Sequence, residues 1–194
     1  MPLKIIAAPT VEPVTGIEAK GHARIDTAAD DIVIDRFIRE AREEAEGETK
    51  RAIMTQTWEL ALALFPAEIV VPLPPLQSVT SIKYIDTDGA EQTLAATEYE
   101  IDAFSEPARI RPAYGKSWPS TRDVYNAVKI RFVAGYAGAA DVTPPVPEGI
   151  KAWILIRFAS KYENREATVL GQTVAEIPRN FIDGLLDPYR VMSF

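Results

Sequence analysis

The sequence contains no cysteine. That absence excludes thiol nucleophiles, cysteine-ligated zinc, iron–sulfur clusters and a disulfide scaffold, and it is compatible with a reducing compartment. Histidine is nearly absent too: the one residue is His22. Any serine–histidine–aspartate arrangement would have to use it, and no G-x-S-x-G elbow accompanies it. Beside Arg24, His22 reads as a surface or capping residue. No G-x-x-x-x-G-K-[ST] loop occurs, which removes the P-loop enzymes. The glycines of "GYAGAAD" have no phosphate-binding lysine and no Rossmann context, so that stretch is a loop. Long hydrophobic runs are also missing. The most apolar segment, "IKAWILIRFA", is too short to span a bilayer and carries Arg157. The N-terminal "MPLKIIAAPTVEPVTG" is broken by Pro9 before it reaches the length of a secretory signal. A soluble protein that is neither exported nor membrane-bound is expected. Positive charge is in deficit, with 21 Lys and Arg against 28 Asp and Glu, a net charge of −7. Nucleic-acid binders gather cations against phosphate, so sequence-specific binding of DNA is not expected.

What is present is an ordinary globular composition. The 194 residues are 47% hydrophobic and 25% charged, enough for one generous domain or one domain carrying an insertion. Thr15, with Glu18 three residues on, is a capping box that opens a short helix over "TGIEAKGHAR". In "DDIVIDRFIREAREEAEGETKR", Ile34, Phe37, Ile38, Ala41 and Ala45 recur at helical spacing. The opposite side offers Asp35–Arg39, Arg36–Glu40, Arg39–Glu43 and Arg42–Glu46 at i,i+4, the pattern of a solvated helix face.

Near residue 55 the period changes to two. Trp58, Leu60, Leu62 and Leu64 share one side of a strand. "EIVVPLPPLQ", crowded by Pro66, Pro72, Pro74 and Pro75, must be an edge or a loop. "SVTSIKYIDTDGAEQTL" reads as a hairpin with "TDG" at its turn. "TEYEIDAF" and "ARIRPAY" read as short strands, and "NAVKIRFVAGY" alternates Val128, Ile130 and Phe132 against Lys129 and Arg131. Pro147 then opens a helix whose first turns are apolar nearly all round: Ile150, Trp153, Ile154, Leu155, Ile156 and Phe158. A last helix is expected over "IPRNFIDGLLD", ended by Pro188.

Candidate chemistry is sparse. Asp86, Asp88, Glu98, Glu100, Asp102 and Glu106 could supply a glycosidase-type carboxylate pair or a site for a hard cation. Asp86 and Asp88, however, bracket a turn that favours Asp for backbone reasons, and "DTDG" lacks the later glutamate of an EF-hand. Glu98, Glu100 and Asp102 alternate with Tyr99 and Ile101 as on the wet face of a strand. Tyr114 and Trp118 could line a sugar-binding surface, or simply brace a loop. Lys161, Tyr162, Glu163, Arg165 and Glu166 crowd the end of the penultimate helix. With neither a nucleophile nor a cofactor motif beside them, Tyr162, Glu163, Arg165 and Glu166 read as an ion-pair network at a helix terminus.

Taken in order, "VTGIEAKGHARID", "RAIMTQTWEL", "LPPLQSVTSIKYIDTDGAEQTL", "YEID", "SEPARIRPAYGKSWPSTR", "AVKIRFVAGY", "VPEGIKAWILIRFASKYENRE" and "LLDPYRV" resemble the head–tail connector (adaptor, head-completion) proteins of tailed bacteriophages and prophages, over roughly residues 14–191. Gly21, Ser160 and Lys161 depart mildly from that pattern. The resemblance implies an α+β chain, mainly a connector-type helical bundle with an inserted small antiparallel β-region. The helical domain would be discontinuous, formed by 1–54 and 140–194, and the β-rich insertion would be 55–139. It implies a structural protein rather than an enzyme, with no cofactor and no bound metal. Its partners would be the portal protein, a neighbouring head-completion, stopper or tail protein, and copies of itself in a ring. That ring could be twelvefold and could form only on the portal. DNA would pass through the lumen without sequence-specific contacts. The location implied is the head–tail junction of the virion, and the host cytoplasm during assembly. In the tail "YRVMSF", Tyr189, Arg190, Val191, Met192 and Phe194 are candidate partner-binding residues. The competing expectations are a carbohydrate- or cation-binding module built on the β-region, and a hydrolase using paired carboxylates.

Overall fold

The computed structural model describes residues 2–136, 145–164 and 184–191. Within them run β1 (Leu3–Ala7), α1 (Gly16–Ala23), α2 (Asp31–Thr49), β2 (Gln56–Leu62), β3 (Ile69–Val71), β4 (Leu76–Ile85), β5 (Glu91–Leu94), β6 (Tyr99–Asp102), β7 (Ala108–Pro112), β8 (Val128–Ala134) and α3 (Glu148–Glu163). None of these helices is long and apolar enough to cross a membrane.

The strands form two antiparallel sheets, one ordered β1-β2-β8-β4-β5 and the other β3-β7-β6. Strand β8 is central to the larger sheet because its alternation is strict. Val128, Ile130, Phe132 and Ala134 are all buried, whereas Arg131 is exposed. Ile130 lies opposite Leu60 of β2 and Ile82 of β4, so one buried row crosses three strands. Ile69, Val71, Ala108 and Ile110 of the smaller sheet share this cluster, so the two sheets face one another across a common core. The proline-rich stretch is the predicted edge: β3 has a single neighbour, and Pro74-Pro75 is a cis peptide leading into β4.

A second core lies between the helices. Ile34, Phe37, Ile38, Ala41 and Ala45 of α2 meet Ile150, Trp153, Ile154 and Phe158 of α3. The capping box forms as expected, with Thr15 Oγ1 accepting from Glu18 N at 3.2 Å and Glu18 Oε2 accepting from Thr15 N at 2.8 Å. Gly135 allows the two cores to approach. Its φ is 120°, and a Cβ there would stand 2.2 Å from the carbonyl oxygen of Met54.

The expectation of a mainly helical bundle is overturned. The described residues hold three helices and eight strands in two antiparallel sheets, with helix and strand in about equal share. Two causes are visible. Leu3–Ala7 is a fifth strand of the larger sheet, with Leu3 opposite Leu60 and Ile5 opposite Trp58. The β-region is also no small appendage, because its two layers bury a full core of their own. Of the helix expected over "IPRNFIDGLLD", residues 184–186 form a turn that runs into a 3-10 turn, Asp187–Tyr189, and the rest lies outside the described residues. The division into 1–54 with 140–194, and 55–139, remains a proposal.

Candidate interaction surfaces

The end of α3 is held by α2. Phe158 and Tyr162 continue the buried stripe, with ring centroids 6.0 Å apart, and the Tyr162 hydroxyl donates to Asp30 Oδ2 at 2.7 Å. Lys161 Nζ reaches Glu44 at 2.7 Å and Glu40 at 3.5 Å, and Arg157 Nε reaches Glu44 at 2.6 Å. Burial alone would push the Glu44 carboxyl up, but Lys161 and Arg157 outweigh it and hold it below the usual range. Glu163 is exposed at the helix end, and Arg165 and Glu166 lie outside the described residues. Lys161 and Arg157 thus pair with acidic residues of α2, and Tyr162 with Asp30 just before it.

The tail follows a similar logic. Leu186 is fully buried, and the Tyr189 ring lies against Gly149, where a Cβ would be 3.2 Å from Tyr189 Cε2. Val191 N donates to Thr49 O at 2.9 Å, and Arg190 reaches Glu48 at 3.4 Å and Asp187 at 3.2 Å. Arg51 Nε donates to the Tyr189 carbonyl, while Arg51 Nη2 donates to Glu106. Tyr189 and Val191 are half-buried and Arg190 is exposed, whereas Met192 and Phe194 lie outside the described residues.

Most of the β-region carboxylates are held in separate pairs and turns, while Glu100 and Asp102 line one cleft with Glu68, Arg109 and Arg111. Asp86 closes its own turn, accepting from Ala90 N at 2.9 Å, Asp88 N at 3.1 Å and Gln92 Nε2 at 2.8 Å. Glu98 pairs with Lys116, Glu100 with Arg111, and Glu106 with Arg51. Among the described residues no group of three His, Asp or Glu stands ready to hold a metal ion. Trp118 stacks on Phe65 with centroids 4.7 Å apart, while Tyr114 is fully exposed. His22 is exposed in the last turn of α1.

Two features escaped the sequence. Arg42, expected on a solvated face, is only 4% exposed; its guanidinium holds Glu12 at 2.6 Å and Glu46 at 2.8 Å. Glu46 in turn accepts from Ile53 N at 2.9 Å and Gln56 Nε2 at 2.7 Å, which ties α2 to the start of β2. Burial pushes the Glu46 carboxyl up despite those partners. The second feature is a set of fully presented apolar side chains: Ile17 at 85%, Ile32 at 87% and Phe104 at 99% exposure.

No protein-family model and no curated protein matches the sequence. Solved structures do match. A chain from the neck of an empty gene transfer agent particle, computed with C6 symmetry, superimposes with a TM-score of 0.79 at 22% identity, covering 100% of this chain and 97% of that one. A chain from the virion of the native gene transfer agent particle gives 0.79 at 21% identity, with the same coverage. One from the neck of the native particle, computed with C12 symmetry, gives 0.70 at 22% identity, again covering 100% and 97%. The fold is one found in particle necks. It extends over both cores, so the sheets and the helices are matched together.

Proposed function

We propose that this chain is a structural component of a phage-like particle neck: an adaptor that assembles as a ring beneath the portal, joins the head to the next neck or tail protein, and lets DNA pass through its lumen. The observation that carries this reading is the end-to-end match to gene transfer agent neck chains, with 100% of this chain covered at a TM-score of 0.79. The surface chemistry agrees with it. Arg109–Glu68, Arg111–Glu100 and Lys116–Glu98 pair charges on the β-region surface, and the net charge of −7 suits a conduit that must not hold DNA. The virion is the location that follows.

The tail is the proposed portal-facing segment. Tyr189, Arg190 and Val191 are seated where the end of α2 meets the start of α3, and Met192 and Phe194 complete the proposed partner-binding set. The test is co-assembly with the portal protein encoded by the same genome, followed by size exclusion with light scattering and by negative stain. A stoichiometric complex displaying a ring is expected. Truncation after Val191 should leave the fold intact and weaken that complex. Absence of any complex with a well-assembled portal would overturn the proposal.

A further inference from the structure

Arg51 is only 8% exposed and stands between three distant parts of the chain. Its Nε donates to the Tyr189 carbonyl of the tail, and its Nη2 donates to Glu106 in the loop between β6 and β7. The Tyr136 hydroxyl, just past the end of β8, accepts from it as well. The loop end is itself fixed: Asp102 Oδ1 accepts from Phe104 N at 2.9 Å and from Ser105 N at 3.1 Å. A guanidinium is planar, with its N–H groups in a rigid fork. Held by Glu106 and Tyr136, Arg51 therefore aims Nε in one direction, and the Tyr189 carbonyl occupies the place it aims at.

Burial of Leu186 and packing of the Tyr189 ring on Gly149 set the start of this segment against α3. The course of the backbone beyond is left to hydrogen bonds and ion pairs, and these differ in kind. Arg190 meets Glu48 at 3.4 Å, but the two side chains are 39% and 53% exposed and water competes for each. Val191 N donates to Thr49 O at 2.9 Å, a bond between neutral groups. Arg51 supplies a charge-assisted hydrogen bond from a buried position, roughly twice as strong as a neutral one.

We propose that Arg51 is the residue that positions the tail for its partner, with Glu106 as the fixed point from which it does so. This inference rests on the reading of Tyr189, Arg190 and Val191 as partner-binding residues. A segment already held in its docking course has less freedom to lose on binding, so loosening it weakens the complex.

Hydrogen exchange in the free, full-length chain tests the positioning without a portal. The amides of Tyr189, Arg190 and Val191 are all bonded, to Leu186 O, Asp187 O and Thr49 O. Arg51→Met keeps the apolar stem and removes the donors; those amides should exchange at least about tenfold faster, while Ile130 and Phe132 of β8 keep the parent rate. Glu106 is 41% exposed, so Glu106→Gln leaves the fold intact and removes only the charge; it should speed the same amides by about threefold. Arg51→Lys, an ammonium without the fork, should fall between the parent and Arg51→Met. Arg190→Gln should leave the Val191 amide at the parent rate. The positioning is overturned by unchanged tail amides in Arg51→Met or Glu106→Gln, by faster exchange throughout the chain in both, or by an equal effect of Arg190→Gln. On the portal, both variants should need more protein for half-assembly, Arg51→Met the more. Tails that loosen with assembly unchanged or tightened would overturn the tail's role in docking while the ring reading stands. A parent chain that forms no ring would overturn the neck reading, and the exchange rates would still decide whether Arg51 positions the tail.

Discussion

The two cores of this molecule are held by different means. Around the sheets, strands distant in sequence are joined by backbone ladders, and the ionic pairs lie outside the core, as in Arg131–Glu59 and Arg111–Glu100. Around the helices, each backbone satisfies itself, so α2 and α3 must be knit by side chains. Glu44 receives both Arg157 and Lys161, and Asp30 receives Tyr162. Between the cores sits a charged joint, Glu12–Arg42–Glu46–Gln56, with a second at Arg51–Glu106. The lesson is that charge of one chemical kind is decorative on the sheet, cohesive between the helices and structural at the joint.

The largest test of this contrast is truncation in each core. Phe132 and Phe158 are both fully buried, one among the strands and one between the helices. Each substitution by Ala should cost about 3–5 kcal/mol. If the joints couple the cores, far-UV and near-UV signals in urea will fall together in the parent chain and in both variants. Two separated transitions would instead show cores that unfold independently, and would favour the division at residues 55–139.

Next in size is the joint itself. Arg42→Met keeps the apolar stem but leaves Glu12 and Glu46 without their cation. Removing one partner of a buried pair costs about 3–5 kcal/mol, and the lower end is expected here because Glu12 and Glu46 retain 21% and 16% side-chain exposure. The same variant should split the urea transition, a result that Phe132→Ala would not give. An unchanged midpoint would remove the joint from the account.

Much of the architecture was legible. The alternation of Val128, Ile130 and Phe132 marked the central strand, Thr15 and Glu18 marked a helix start, and "TDG" marked the β4–β5 turn, because each of these is a local pattern with a local cause. Leu3–Ala7 was not legible as a strand. Lys4, Ile5, Ile6 and Ala7 are exposed and show no alternation, so only the pairing with β2 makes the segment a strand. Arg42 was misread for a related reason. Its i,i+4 partner Glu46 suggested a solvated face, but what buries it is Glu12, thirty residues upstream. Phe104 gave no signal of its own, since nothing in "DAFSE" announces which way the ring points.

The comparison sharpens within a single helix. Glu44 and Glu46 are two residues apart and respond to pH with opposite sign. Glu44 is held below its ordinary value of 4.5, so its contribution is present above that pH and is lost as pH falls through the folded-state value. Glu46 is raised above 4.5, so its contribution favours the folded chain below that pH and is lost as pH rises through its folded-state value. Glu44→Gln should therefore flatten the acid-side loss of stability, and Glu46→Gln should steepen it. Urea midpoints measured across the acid range check both signs, and the same response from both variants would contradict the assignment.

The smallest effect completes the contrast, because it uses the same chemistry as the joint at an exposed place on the sheet. Arg111 and Glu100 face each other across β7 and β6, with side chains 67% and 46% exposed. Water solvates both groups whether or not they meet, so the pair contributes little beyond what each has alone. Arg111→Gln should therefore lower stability by about 0–1 kcal/mol, and moderate salt should shrink even that. Arg42 carries the same guanidinium at 4% exposure and should show the larger loss with little response to salt. Equal losses for the two arginines would mean that burial is not what separates the joint from the sheet surface. A salt-insensitive loss at Arg111 would point to the geometry of the β6–β7 pair itself, and hence to the hairpin that carries Phe104.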